Sequence, residues 1–271
     1  MNVIFLGQGK LSYECLNILL SNEFFEDYHL KCIVTSNSFY RNLLNDNDSI
    51  GGITFISNDF RNEISIIDAI EKLEVEVLIS VQHSWVLSEK ILNKVNGKAF
   101  NLHNAKLPEF KGFNTISHAI FSQALKYFVT IHKIEPEVDS GSIVAETGIE
   151  ISPDETALSL YKKTIPVAGL LFKSFLLHLS EKKLLFKRQE GEGTFYKKNS
   201  LDEIRVLKLS DSEEIISKKI RAVYFPPYEP AYFLINKQKF YCLPNNLESS
   251  GWLNVFPENK SNWDCTSSLE G

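Results

Sequence analysis

NVIFLGQGKLSYECLNILLS, Asn2 to Ser21, changes its apolar rhythm halfway. The first part is an unbroken apolar run that stops at Gly7, and the second sets Leu11, Cys15, Leu16, Leu19 and Leu20 at helical spacing. The reading is strand, tight turn, helix. The alternation recurs downstream: LKCIVTS (30–36) and ITFIS (53–57) are β-rich, EISIIDAIEKLE (63–74) is helical, VEVLISV (75–81) is a strand, SEKILNKV (88–95) a helix and KAFNLH (98–103) a strand. Strands and helices in turn predict an α/β fold with a doubly wound, mostly parallel sheet.

Beyond Asn114 the chain reads as a helix capped at Asn114 or Thr115, then two strands, YFVTIHKIE and GSIVAETGIEI, around a turn marked by Pro136, Asp139, Ser140 and Gly141. A long helical region follows over 153–179, with a bend expected near Pro166. QEGEGTFYKKNS (189–200) is polar and glycine-bearing and marks a boundary between a domain at 1–190 and a smaller α+β region at 191–271. The smaller region holds a helix, DSEEIISKKIRAV, and two strands, AYFLIN and KFYCL, joined as a β-hairpin through Lys237 and Gln238.

The composition is that of an ordinary globular protein, 44% hydrophobic and 23% charged over 271 residues. A formal net charge of −5 provides no global field to gather nucleic acid or an anionic membrane. Cys15, Cys32, Cys242 and Cys265 form no CxxC pair, which fits reduced thiols in a cytoplasmic setting and gives no structural zinc pattern. The apolar stretch Ala168–Ser180 is interrupted by Lys173 and His178 and is shorter than the roughly 20 residues of a membrane span.

In a doubly wound sheet the carboxyl ends of the strands face the ligand crevice. Asn101 and His103 fall at that end of KAFNLH, two apart and therefore on one face. An amide NH2 and an imidazole aimed at one point suit acyl transfer, whose tetrahedral intermediate carries an oxyanion and whose nucleophile must shed a proton. The alternative is a turn-capping asparagine beside a core histidine. HKIEPEVDSG adds a strand histidine, His132, and a turn carboxylate, Asp139, of the kind that orients an imidazole.

Taken together, NLHNAKLPEFKG (101–112) and TIHKIEPEVDSGSIV (130–144) resemble the signature of the 10-formyltetrahydrofolate-dependent formyltransferases: Asn-x-His, a Leu-Pro and aromatic-basic-Gly segment, then His, six residues, Asp-x-Gly. The resemblance runs over about residues 1–180. It implies a Rossmann-like formyltransferase fold, a catalytic triad of Asn101, His103 and Asp139, 10-formyltetrahydrofolate as co-substrate and no metal. SWVLS (84–88) is similar to the family's pterin-contacting loop, so the resemblance assigns Trp85, Val86 and Leu87, with His132 in support, to the folate.

RAVYFPPYEPAYF (221–233) is similar to the C-terminal segment of N-formyltransferases acting on nucleotide-linked amino sugars, and is lacking in the purine-pathway enzymes of the family. Methionyl-tRNA formylation is the alternative, but residues 191–271 carry ten Lys or Arg against eleven Asp or Glu, a poor footprint for RNA. The sugar reading sets Gln8 and Lys10, in the turn opening the first helix, at a pyrophosphate, and Arg221 and Tyr224 at a nucleobase. Packing or a subunit interface is the other use of those aromatics.

The short, aromatic hairpin AYFLINKQKFYCL would, left bare at a sheet edge, invite pairing with another chain. A homodimer is therefore expected. Light scattering at micromolar concentration should return twice the chain mass, and a monomer would contradict the expectation.

Overall fold

The computed structural model describes residues 1–24, 26–35, 52–57, 62–83, 85–244 and 254–257. Ser36, Ser84 and Cys265 lie outside the described residues. The first elements are β1 (Asn2–Gly7), α1 (Gly9–Leu19), β2 (His29–Thr35), β3 (Thr54–Ser57), α2 (Glu63–Lys72), β4 (Val77–Val81), α3 (Glu89–Lys94) and β5 (Ala99–His103). Next come β6 (Lys111–Gly112), α4 (Thr115–Phe121), β7 (Lys126–Lys133), β8 (Ile143–Glu150) and α5 (Ala157–Ser180). The last are β9 (Phe195–Tyr196), α6 (Asp202–Arg205), β10 (Val206–Leu207), α7 (Glu213–Val223), β11 (Ala231–Ile235), β12 (Gln238–Leu243) and β13 (Asn254–Pro257).

Among the described residues, one sheet has the order β3-β2-β1-β4-β5-β7-β8. β3, β2, β1, β4 and β5 run parallel, and β7 pairs antiparallel with β5. This is the α/β, mostly parallel sheet that the sequence predicts. The order reverses between β1 and β4, so the connections after these strands leave toward opposite faces and open a crevice at their carboxyl ends. Gly7 makes the first of these turns possible, because a Cβ there would run into Ser12 Oγ and would stand 3.0 Å from the Val81 carbonyl.

The apolar runs of β1 and β4 are explained by burial on both faces. One face packs Ile4, Leu6, Val34 and Leu78 against Ile66 and Ile70 of α2 and Ile91 of α3. The other face meets α5, where Phe100 stands edge-to-face on Phe175 with ring centroids 5.1 Å apart. Tyr28 reaches the same helix and donates its hydroxyl to the Leu176 carbonyl. α5 runs unbroken from Ala157 to Ser180 with Pro166 inside it.

The chain divides into two compact units that interleave in sequence. The first comprises Met1–Lys111, Phe128–Gly148 and Thr164–Thr194, and the second Gly112–Tyr127, Ile149–Lys163 and the described residues from Phe195 on. Segments that the sequence assigns to a domain at 1–190, Gly112–Tyr127 and Ile149–Lys163, thus count with the second unit. That unit has its own core of Leu201, Ile204, Leu207, Ile220, Val223, Ala231 and Cys242, beside a sheet ordered β10-β11-β12-β13. Lys219, nearly buried, donates to Asp211 at 2.7 Å and to the Val206 carbonyl at 3.0 Å.

Two local expectations need adjustment. The hairpin turn is Asn236–Lys237, both at positive φ, which is the backbone of a two-residue turn matching the twist of its strands. Asn114 does stand at the N-cap of α4, but in the left-handed region, and its side chain donates to the Lys198 carbonyl instead of capping the helix.

Phe175→Ala removes a fully buried ring and its partner for Phe100, and should cost about 3 to 5 kcal/mol in denaturant unfolding. A loss below about 1 kcal/mol would show that α5 is not anchored to the sheet through this ring.

Candidate functional site

The first unit assembles five polar side chains near the carboxyl end of β5: Ser80, Asn101, His103, His132 and Asp139. Ser80, Asn101 and His132 are Cα partners across β4, β5 and β7, so they occupy one row of the sheet. Ser80 Oγ donates to Asn101 Oδ1 at 2.9 Å, and Asn101 Nδ2 stands 3.1 Å from His132 Nε2. His132 Nδ1 donates to the Lys133 carbonyl at 2.8 Å, which leaves Nε2 of the neutral ring as an acceptor for the amide.

His103, two residues beyond Asn101 and buried, donates Nε2–H to the Phe110 carbonyl at 2.7 Å. Its other nitrogen, Nδ1, lies 3.8 Å from Asp139 Oδ2, while His132 Nε2 lies 3.4 Å from Asp139 Oδ1. The two rings are 6.3 Å apart and close to perpendicular. Asp139 therefore sits between both imidazoles, at distances longer than a hydrogen bond to either ring. Asn101, His103, His132 and Asp139 do come together, as their placement in sequence suggests.

The loop that presents Asp139 is held from outside. Asp139 has φ +52, a conformation that Asp tolerates better than most residues. Gln189 Nε2 donates to the carbonyls of both Asp139, at 2.9 Å, and Gly141, at 2.7 Å. Gly141 must lack a side chain because a Cβ would run into the Lys133 carbonyl. The Asp-x-Gly spacing is thus a packing requirement as much as a chemical one.

Chemically, the cluster offers an amide N–H, a buried imidazole whose Nδ1 lone pair is the nitrogen left for proton transfer, and a carboxylate within Coulombic reach of the cation this would make. Asn104, adjacent in sequence, turns elsewhere and donates to Thr164 at 3.0 Å.

The loop after β4 carries the residues expected to meet a folate. Trp85 and His83 pack with tilted rings, centroids 4.5 Å apart, and among the described residues Trp85 Nε1 and both His83 nitrogens are buried without a hydrogen-bond partner. Burial lowers the His83 pKa to about 4, so the ring is neutral near pH 7 and presents one donor and one acceptor. Such orphaned groups fit a heteroaromatic ligand with its own donors and acceptors. Val86 is half exposed, whereas the Leu87 side chain belongs to the core beneath.

Gln8 precedes α1 in extended conformation, and Lys10 is exposed in its first turn. Arg221 and Tyr224 belong to the second unit. Arg221 donates Nη1 to the Glu155 carbonyl at 3.0 Å, and its burial lowers the guanidinium pKa. The Tyr224 carbonyl accepts from Leu158 N.

Ser80 and Gln189 are residues beside the cluster that sequence reading passes over, and His83, which flanks the candidate site in sequence, it leaves without a chemical role. Ser80 had a signal, as the lone hydroxyl in VEVLISV, and Gln189 had none, since it opens a stretch that reads as a boundary.

The fold and the family can now be compared with known proteins. The structure of a sugar N-formyltransferase from a Shewanella species superposes with a TM-score of 0.73 at 19% identity, covering 90% of this chain and 96% of that one. A sugar 3-N-formyltransferase, solved in the presence of dTDP and 5-N-formyltetrahydrofolate, gives 0.70 at 18%, covering 96% and 98%. Methionyl-tRNA formyltransferase from Clostridium thermocellum gives 0.67 at 17%, covering 95% and 98%. At such identities the likeness is one of fold. The family described as formyl transferase matches residues 1–172, well over half of the sequence and the stretch that carries Asn101, His103 and Asp139, and on that match the chain belongs to the formyl transferase family.

Proposed function

We propose that this protein transfers the formyl group of 10-formyltetrahydrofolate to the amine of a nucleotide-linked amino-dideoxy sugar, with dTDP as the nucleotide, for a surface polysaccharide of the O-antigen type. It would act in the cytoplasm as a homodimer. The observation that carries the reading is the meeting of Asn101, His103 and Asp139 at the carboxyl end of β5, in a chain of the formyl transferase family. The orphaned nitrogens of His83 and Trp85 support a folate site on the neighbouring loop.

In this mechanism the amine attacks the formyl carbon and forms the new C–N bond. The second N–H of Asn101 Nδ2 meets the oxyanion, while the first remains on His132. His103 Nδ1 takes the proton that the amine sheds, because Nε2 is committed to the Phe110 carbonyl. Asp139 stabilises the resulting imidazolium across 3.8 Å. The same proton then passes to the departing N10 of tetrahydrofolate as the old C–N bond breaks, so that no metal is needed for balance.

Fold alone does not separate a sugar acceptor from initiator tRNA, since both kinds of enzyme superpose comparably. Charge favours the sugar: residues 191–271 are close to neutral, with ten basic and eleven acidic residues, a poor match for an RNA. Gln8 and Lys10, at the N-terminus of α1, would meet the pyrophosphate.

With 10-formyltetrahydrofolate and a panel of dTDP-linked 3-amino and 4-amino sugars, mass spectrometry should show gain of a formyl group on one member. His103→Ala and Asn101→Ala should each lower turnover by about a hundredfold or more while remaining folded. Wild-type turnover in either variant would remove that residue from the mechanism.

Salt separates the acceptors. The sugar-nucleotide KM should change by less than about tenfold between about 50 and 200 mM salt, against about a thousandfold or more for an RNA bound through six or more phosphates. Formylation of charged initiator tRNA, with binding that collapses over this range, would overturn the sugar assignment.

A further inference from the structure

The row Ser80, Asn101, His132 contains a residue to which the reaction above gives no task. Ser80 is 5% exposed and lies inside β4, a strand otherwise made of Val, Leu and Ile. A buried hydroxyl in an apolar strand needs a partner, and its partner is Asn101 Oδ1 at 2.9 Å.

An amide can sit in such a row in two orientations, and a serine hydroxyl can serve either, as donor or as acceptor. The direction is therefore set at the other end. The Lys133 carbonyl takes the proton on His132 Nδ1, so Nε2 accepts and demands an N–H from Asn101. With Nδ2 turned toward His132, Oδ1 is turned toward Ser80, which must donate. The polarity runs one way along the row, from Ser80 to the Lys133 carbonyl. In this orientation the second N–H of Asn101 Nδ2 lies on the His132 side, where it can meet an oxyanion.

We infer that Ser80 is a positioning residue for the transfer reaction: by donating to Oδ1 it holds the Asn101 amide with its NH2 toward His132 and the reacting carbonyl. This rests on the formyl-transfer reading, in which Asn101 meets the oxyanion. Ser80 touches no substrate atom and works through Asn101. Without the hydroxyl, Oδ1 faces an apolar wall, and the amide rotates away from the geometry the oxyanion needs.

The test is a double-mutant cycle on kcat, using the full-length protein, 10-formyltetrahydrofolate and dTDP-linked 3-amino and 4-amino sugars. Ser80→Ala should lower kcat by about tenfold, leave both KM values within about twofold, and keep the thermal midpoint close to wild type. In an Asn101→Ala background the same substitution should cost nothing further, because the group it positions is gone. A tenfold loss in both backgrounds would overturn the inference and make Ser80 a structural residue. Full activity in Asn101→Ala would instead overturn the transfer mechanism. If no acceptor is turned over, the amide is read directly. In nitrogen-15 labelled protein, the scalar coupling from Asn101 Nδ2–H to His132 Nε2 should fall by half or more in Ser80→Ala, and an unchanged coupling would overturn the positioning role.

Discussion

Everything in the candidate site depends on the register that sets Ser80, Asn101 and His132 side by side across β4, β5 and β7. Two backbone carbonyls terminate the polar groups in this region, Lys133 O on His132 and Phe110 O on His103. Each carbonyl accepts only, so each forces a proton onto the ring nitrogen facing it. The two histidines are thereby held in opposite tautomers, His132 with Nδ1–H and His103 with Nε2–H. A slip of one residue in β5 would turn Asn101 and His103 to the opposite face and leave Ser80 and His132 without their partner.

Polar groups inside a sheet this apolar are costly unless each is satisfied. The arrangement meets that condition with a directional chain, between packed helices on the two faces of the sheet. α2 and α3 cover one face of the sheet and α5 the other, with Phe100 wedged against Phe175 one residue from Asn101. Rigidity on the β5 side is matched on the Asp139 side, where Gln189 grips two loop carbonyls. His83 and Trp85 are the contrast. Their nitrogens are buried and, among the described residues, unsatisfied, the state expected of groups that meet a ligand instead of each other.

The sequence makes the sheet legible because strand and helix periodicities recur in turn through most of the stretch from Asn2 to His103. The pairing of Asn101 with His103 is legible too, because a spacing of two on a strand leaves no choice of face. Asp139 could be brought to them only through the motif that it shares with the formyltransferases. What stays hidden are partners fixed by register and not by local pattern. Nothing local says that Ser80 lies opposite Asn101, or that Gln189, fifty residues after Asp139, returns to hold its loop. The compact units were hidden for the same reason, since Gly112–Tyr127 and Ile149–Lys163 join the later chain through tertiary packing. The hairpin turn lies one residue earlier than expected, at Asn236 and Lys237, because Gln238 pairs with Ile235 in the ladder.

The central claim is that backbone carbonyls dictate where the protons sit, leaving His103 Nδ1 as the nitrogen that exchanges a proton and His132 Nε2 as the acceptor that orients Asn101. Nitrogen-15 NMR of the histidine rings in the wild-type protein, under conditions where both are neutral, reads this directly. The account predicts Nε2–H for His103 and Nδ1–H for His132. Observing Nδ1–H on His103, or Nε2–H on His132, would contradict it.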